Sequence, residues 1–258
     1  MAVPTVAVTG AEFTSTAFVT DIGNAVRWSV SHPYLVPERV IVDPEFTMSA
    51  PPGLTAAAGV GAFAFALEAF VSLRSNEITD TFTLESIRLI VQNLQRAVRD
   101  GKDLEARTAM CLAAYLAGAA VSGTGPGVAN LIAPSLQMAL GTVYGAAVAV
   151  VLPASVQFNL DHAREKYARV ATLLGGEIRS GTENLLDQLA VLYSEIGIDD
   201  TIARLKIDYG MIEETLNSIT ESGARAEANP RPVDRAGLVR ILRHAREYVQ
   251  RRSTSGSG

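Results

Sequence analysis

No charged residue occurs between Arg107 and Asp161. A stretch that long cannot be a series of surface helices, because an outward helix face needs polar and mostly charged side chains. It must be covered, either by lipid or by the rest of the protein. Its most continuous apolar part, Leu136 to Leu152, is 17 residues long, and a bilayer span needs about 20. Gly, Ser, Asn, Gln and Pro interrupt the remainder, and its flanks show no Lys/Arg asymmetry. Central helices that read apolar all round, because other helices pack on every side, fit the pattern better. The segment predicts a mainly helical protein, with no membrane insertion.

The rest of the chain is consistent with a large folded core. The whole chain has 258 residues, of which 48% are hydrophobic and 19% charged. A net charge of −5 gives no electrostatic reason to bind nucleic acid or an anionic membrane. The basic cluster Arg240, Arg243, Arg246, Arg251 and Arg252 reads as a solvated helix face. The single cysteine, Cys111, excludes an internal disulfide and a cysteine metal cluster. It lies among Ala, Leu and Tyr and reads as a buried, inert thiol. The start, "MAVPTVAVTG", has neither a basic nor an apolar leader region, so the expected compartment is cytoplasmic.

Two patterns divide the chain. Residues 1–50 read as four short strands, "AVPTVAV", "STAFVTD", "AVRWSVS" and "RVIVDP". Val26, Trp28 and Val30 share one face, and the turn lies at Asp21-Ile22-Gly23-Asn24. From about residue 52 the period is helical. Leu84, Ile87, Val91, Leu94 and Val98 recur at three- and four-residue steps. Asp80 or Thr81 can cap this helix, Gly101 can end it, and Asp103 can cap the next. "SGTGPG" at 122–127 is a break. Apolar helices follow on either side of Gly141 to Gly145, and Pro153 is expected to close them. Amphipathic helices are expected over 161–174, 181–196, 207–222 and 234–250. The expected organisation is a small β remnant at 1–50, a helical domain at 51–252 and a flexible tail at 253–258. The sheet reads as the last part of an α/β sheet whose first part is absent. Its edge and uncovered face predict a homodimer or a complex with another chain.

Particular motifs resemble a known family. "VPTVAVTGAEFTSTAFVTD" is similar to a P-T-T-A-G-T-G-S-E-V-T segment of the iron-dependent (group III) alcohol dehydrogenases. "LVPERVIVDPEFTMSAPPGLTAAAGVGAFAFALEAFVS" resembles their P-x-x-V-I-x-D-P-x-L-T-x-x-L-P followed by G-x-D-A-L-x-H-A-x-E-A-Y. "DLEARTAMCLAAYLAG", "GVANLIAPSLQMALGTVYGAAVAVVLPASVQFN" and "NPRPVDRAGLVRIL" match further segments in the same order. The resemblance implies a dehydroquinate-synthase-like, all-helical C-terminal domain with a small N-terminal sheet remnant.

The resemblance also implies a loss. The family's metal is held by one Asp and three His, with another His nearby for proton relay. Position by position, the Asp falls on Gly61 and the first His on Phe65. The second ligand His falls on Asn130, the relay His on Pro134 and the last ligand His on Tyr144. Gly, Phe and Pro offer no side-chain lone pair, and a neutral amide or phenol is a weak ligand. The family's Gly-rich nucleotide motif has no counterpart after a strand here, and "GTGPG" follows a helix. In the retained segment Thr5, Thr9 and Gly10 persist, while Val8 stands where a ligand would need close backbone approach. Neither a metal nor a nicotinamide cofactor is expected.

Two functions remain. The first keeps an open apolar pocket and uses it for cofactor-free, non-redox chemistry on an apolar small molecule: cyclisation, isomerisation or dehydration. Tyr144, Asn130 and Glu68 would be its catalytic groups, with Phe63, Phe65, Gly61, Pro134, Gln137, Thr5 and Thr9 lining it. The alternative is a non-catalytic partner subunit whose former pocket has filled with side chains. Glu68 also has a structural reading, paired with Arg74 or a backbone donor, and Asn130 can cap a helix beginning near Leu131. His32, His162 and His244 form no cluster in the sequence.

Overall fold

The computed structural model describes residues 1–21, 23, 26–175 and 181–255. Nine α-helices and one β-hairpin are present among them: β1 (Thr16–Asp21), β2 (Val26–Ser31), α1 (Pro52–Val71), α2 (Glu77–Arg99), α3 (Leu104–Thr124), α4 (Val128–Leu140), α5 (Tyr144–Leu173), α6 (Gly181–Glu195), α7 (Ile198–Ala203), α8 (Tyr209–Ser222) and α9 (Arg235–Ser255).

The uncharged stretch forms most of α3, all of α4 and the first half of α5. Ala146 to Leu152 are all buried to 1% exposure or less. In α1 all but one of the residues from Thr55 to Val71 are buried, Phe65 being the exception. By length and composition α1 and α3 could each cross a bilayer. Most of α1, however, is covered by α2, α3 and α5, so its apolar surface is already removed from water.

The crossings are close because small residues sit at them. A Cβ on Gly145 of α5 would lie 1.8 Å from the Ala57 carbonyl oxygen of α1. A Cβ on Gly59 would enter the Leu94 side chain of α2 at 2.2 Å. Gly10, with φ of +59°, backs onto Gly118 of α3, and a Cβ on Gly10 would lie 2.4 Å from the Ala114 carbonyl oxygen. Phe13 packs edge-on against Tyr115 and accepts a hydrogen bond from the Ser122 hydroxyl at 3.1 Å. The N-terminal segment is thereby pinned to α3.

Several expectations need correction. Of four expected strands, only "STAFVTD" and "AVRWSVS" form a ladder, antiparallel with Val19 opposite Trp28. The other two meet at a single parallel bridge, Ala2 to Val40. Pro4 withholds a ladder donor, and Gly10 turns the chain toward α3 instead. Of the expected turn, Ile22 and Asn24 lie outside the described residues.

α2 starts earlier than expected: the cap is Asn76, whose side chain accepts from Ile78 and Thr79 in a capping box, not Asp80 or Thr81. Asp103 does cap α3, accepting from the Ala106 N–H at 2.9 Å. Pro153 does not end a helix but lies inside α5, which continues to Leu173 with one non-helical residue at Ala163. Packing on both sides of Pro153 outweighs the one lost backbone bond. The short α7 was not foreseen. α9 runs through Ser255, so Ser253 to Ser255 are helical rather than tail; residues 256–258 are outside the description. Cys111 is buried as expected, and burial pushes its thiol pKa up.

Candidate functional site

The pin at Gly10 carries Val8 onto α1. Its Cγ1 lies 3.1 Å from where a Cβ on Gly61 would be, and the Tyr144 ring lies 3.6 Å from the same point. Phe65, one turn after Gly61, stacks on Tyr144 with ring centroids 6.0 Å apart and planes 28° apart. Tyr144 is the first residue of α5, and its hydroxyl donates to the Asn130 amide oxygen. Gly61, Phe65, Asn130 and Tyr144 therefore converge, as the resemblance implies. Val8 and the Tyr144 ring take up the space beside Gly61.

The polar chain continues inward. The Asn130 amide nitrogen donates to Glu68 Oε2 at 2.6 Å. Glu68, 4% exposed on α1, also accepts the backbone N–H groups of Gly127 (3.0 Å), Ala129 (2.6 Å) and Asn130 (3.1 Å). These are first-turn donors that an α-helix cannot satisfy internally. The fourth, from Val128, goes to the Asn229 side chain at 3.2 Å. The N-terminus of α4 is thus capped by a carboxylate from α1 and an amide from the loop before α9. Negative charge is favourable there, since the helix dipole and N–H groups point at it. Gly127 permits this approach: a Cβ would lie 2.6 Å from Glu68 Cδ.

Burial nevertheless pushes the Glu68 pKa up, from 4.5 to about 7, while its four N–H donors pull the other way. Desolvation outweighs the hydrogen bonds because, among the described residues, no cation stands beside the carboxylate. Arg74 pairs instead with Glu227 at 3.3 Å. Asn130 is not a cap. It is the third residue of α4, whose cap position is Gly127.

The other proposed residues are less involved. Phe63 is fully buried in the core, and Phe65 is the ring that meets Tyr144. Pro134 is buried inside α4. Gln137 is half-buried on the last turns of α4, where its carbonyl accepts from Thr142 N–H at 3.2 Å. Thr5 is exposed and Thr9 half-buried in the N-terminal segment; the residue there that reaches Gly61 is Val8.

Sequence reasoning missed Asn159 and Asn229, which exchange hydrogen bonds at 2.7 and 3.0 Å. Asn229 also donates to the Arg231 carbonyl at 2.7 Å. Arg231 in turn lies over the Phe158 ring at 4.4 Å and bonds the Phe158 carbonyl at 3.2 Å. The quoted "QFN" and "NPR" segments contained these residues, but only the fold shows that the two motifs grip each other.

These residues do not fit a metal ion. The four convergent positions supply one amide oxygen and one phenol, already bonded to each other, and a valine packs against the glycine. Among the described residues no group of three or more His, Cys, Asp or Glu could hold one. Tyr144→Phe is expected to cost about 1 kcal/mol in a urea titration, the size of one partly exposed hydrogen bond. A much larger loss would mean that the phenol does more than tie α5 to α4.

Comparison with known proteins bears on the same residues. Residues 55–246 match the model of the Fe-containing alcohol dehydrogenase family, C-terminal. The chain is 32% identical over 247 residues to a sulfoacetaldehyde reductase of Bilophila wadsworthia (strain 3_1_6), covering 93% of this chain and 64% of that protein. It is 31% identical to an NAD-dependent methanol dehydrogenase of Bacillus methanolicus, covering 95% and 65%. Among solved structures, a 1,3-propanediol oxidoreductase superposes with a TM-score of 0.81 at 30% identity, covering 94% of this chain and 65% of that one. An alcohol dehydrogenase from Oenococcus oeni gives 0.82 at 29%, covering 94% and 64%. The chain spans slightly under two thirds of the length of these relatives. With the helices, the converging positions and the "NPR" clamp all in the matched order, the chain belongs to the iron-containing alcohol dehydrogenase family, of which it carries the helical C-terminal portion.

Proposed function

We propose that this chain is a metal-free member of the family that acts as a non-catalytic partner subunit, in a homodimer or with another polypeptide, in the cytoplasm. One observation carries the reading. Each polar group at the former metal positions is engaged in holding helices together: Tyr144 to Asn130, Asn130 to Glu68, and Glu68 to the start of α4. Catalytic groups need lone pairs or protons directed at a substrate; here they are directed at one another and at the backbone of α4. The packing of Val8 and Tyr144 at Gly61 supports this reading over an open pocket.

A second reading has one observation in its favour. Phe65 and Tyr144 keep half-buried faces, and such a ring pair could hold an apolar small molecule for cofactor-free cyclisation, isomerisation or dehydration. Asn130 and the Tyr144 oxygen would be polar contacts for it.

The test is elemental analysis of protein purified without chelator, with a nicotinamide titration followed by fluorescence. Iron and zinc well below one per chain, with no saturable nicotinamide signal, are expected. Stoichiometric metal that survives dialysis would return the chain to redox chemistry. Turnover of an apolar substrate abolished by Tyr144→Phe would favour the second reading.

A further inference from the structure

We propose that the outer flank of α9 is a docking groove for an acidic amphipathic helix of another polypeptide. This rests on the partner-subunit reading and names the chemistry of the partner.

A shallow groove of about 810 Å³ follows this flank, lined by the apolar Ala236 and Val239, by Arg235, Arg240, Arg243 and His244, and by one carboxylate, Glu247. The opposite face of α9, through Leu238, Ile241, Leu242, Ala245 and Val249, is buried in the core. The groove is therefore on a helix that the fold already holds rigid. The three arginines outnumber the one carboxylate in the lining, Glu247. Arg240 lies 5.0 Å over the Phe158 ring, a contact that positions the guanidinium without cancelling its charge. Among the described residues Arg243 forms no ion pair. Arg235 has one carboxylate partner, Glu213 at 3.2 Å, and both are more than half exposed, where such a pair contributes little and exchanges readily.

Charge complementarity selects the occupant. The chain as a whole carries −5, yet three guanidiniums against one carboxylate line this one groove. An apolar floor with a basic rim matches a helix with small apolar residues on one face and Glu or Asp beside them. Nucleic acid fits less well. It needs a longer run of phosphate contacts to bind at physiological salt, and the aliphatic floor offers it nothing.

The experiment uses the intact chain and a fluorescein-labelled synthetic helix of about 18 residues, Leu and Ala on one face and Glu on the other. Its control has every Glu replaced by Lys. Anisotropy should show saturable binding of the acidic peptide in the micromolar range, as weak transient contacts show. Binding should weaken about tenfold or more in Arg240→Glu/Arg243→Glu and at high salt. Arg243→Glu alone, at an exposed position clear of Phe158, should show part of the same loss with an unchanged circular dichroism spectrum. Equal binding of the two peptides, unaltered binding by the variants, or tighter binding of a single-stranded oligonucleotide would each overturn the proposal. None of these results touches the metal and nicotinamide test, so the two readings fail separately.

Discussion

Glu68→Ala is expected to lower the unfolding free energy by about 3–5 kcal/mol, a value reserved for the loss of a buried polar network. The substitution removes one acceptor but orphans four donors: the N–H groups of Gly127, Ala129 and Asn130, and the Asn130 amide. All lie in the protein interior, where water reaches them poorly and an unpaired group costs more than a made bond gains. Urea denaturation of wild type and variant measures the difference. A loss below 1 kcal/mol would show that α4 finds another cap. Glu68→Gln should fall between the two, because its amide nitrogen sets a donor against donors.

The same group gives stability a pH slope of defined sign. The folded-state pKa, about 7, is above the ordinary 4.5. Between these values the folded chain holds a proton that the unfolded chain releases, so folding is favoured by protons. The contribution of Glu68 to stability is therefore largest below about pH 4.5 and is lost as pH rises toward 7. Glu68→Gln should flatten that part of the stability–pH profile. An identical slope in wild type and variant would mean that the N–H donors keep the carboxylate ionised throughout.

Gly145→Ala is the second large effect, expected at about 3 kcal/mol or more. Alanine is the better helix former by about 1 kcal/mol, and at an open site it would stabilise. At 145 the new Cβ would lie 1.8 Å from the Ala57 carbonyl oxygen and 2.4 Å from its carbon. That neighbour is backbone of a buried helix and cannot rotate away, so α1 and α5 must separate and lose packing along their length. Gly53→Ala is the control, since nothing lies within 4 Å of its Cβ position near the start of α1. It should be neutral or stabilising by a few tenths of a kcal/mol to about 1 kcal/mol. Thermal melts of the two variants should move in opposite directions; parallel shifts would refute the close crossing.

The helices were legible where their signals are local. Asp103 caps α3 as its position demands, and the period through Leu84, Ile87, Val91 and Leu94 gives α2. That Gly61, Phe65, Asn130 and Tyr144 lie together could be anticipated from the motif resemblance, and they do meet. Errors came where a non-local contact outweighs a local preference. Pro153 reads as a stop, but the buried residues around it carry α5 through. "AVPTVAV" reads as a strand, but its continuation is bound to α3 through Gly10 and Gly118. Asn130 reads as a cap, but the capping carboxylate comes from another helix 62 residues away in the chain.

What the sequence determined by itself is composition at a place: an uncharged interior, and hydrogen, phenyl, amide and phenol at Gly61, Phe65, Asn130 and Tyr144. That follows from covalent chemistry, since no fold can give glycine or phenylalanine a lone pair to donate. What only the tertiary structure decided is which groups surround those positions. Val8 reaches Gly61, and Glu68 is consumed at the start of α4, contacts between residues more than fifty positions apart. Packing and hydrogen-bond satisfaction are properties of neighbours in space, and the chain order does not state who those neighbours are.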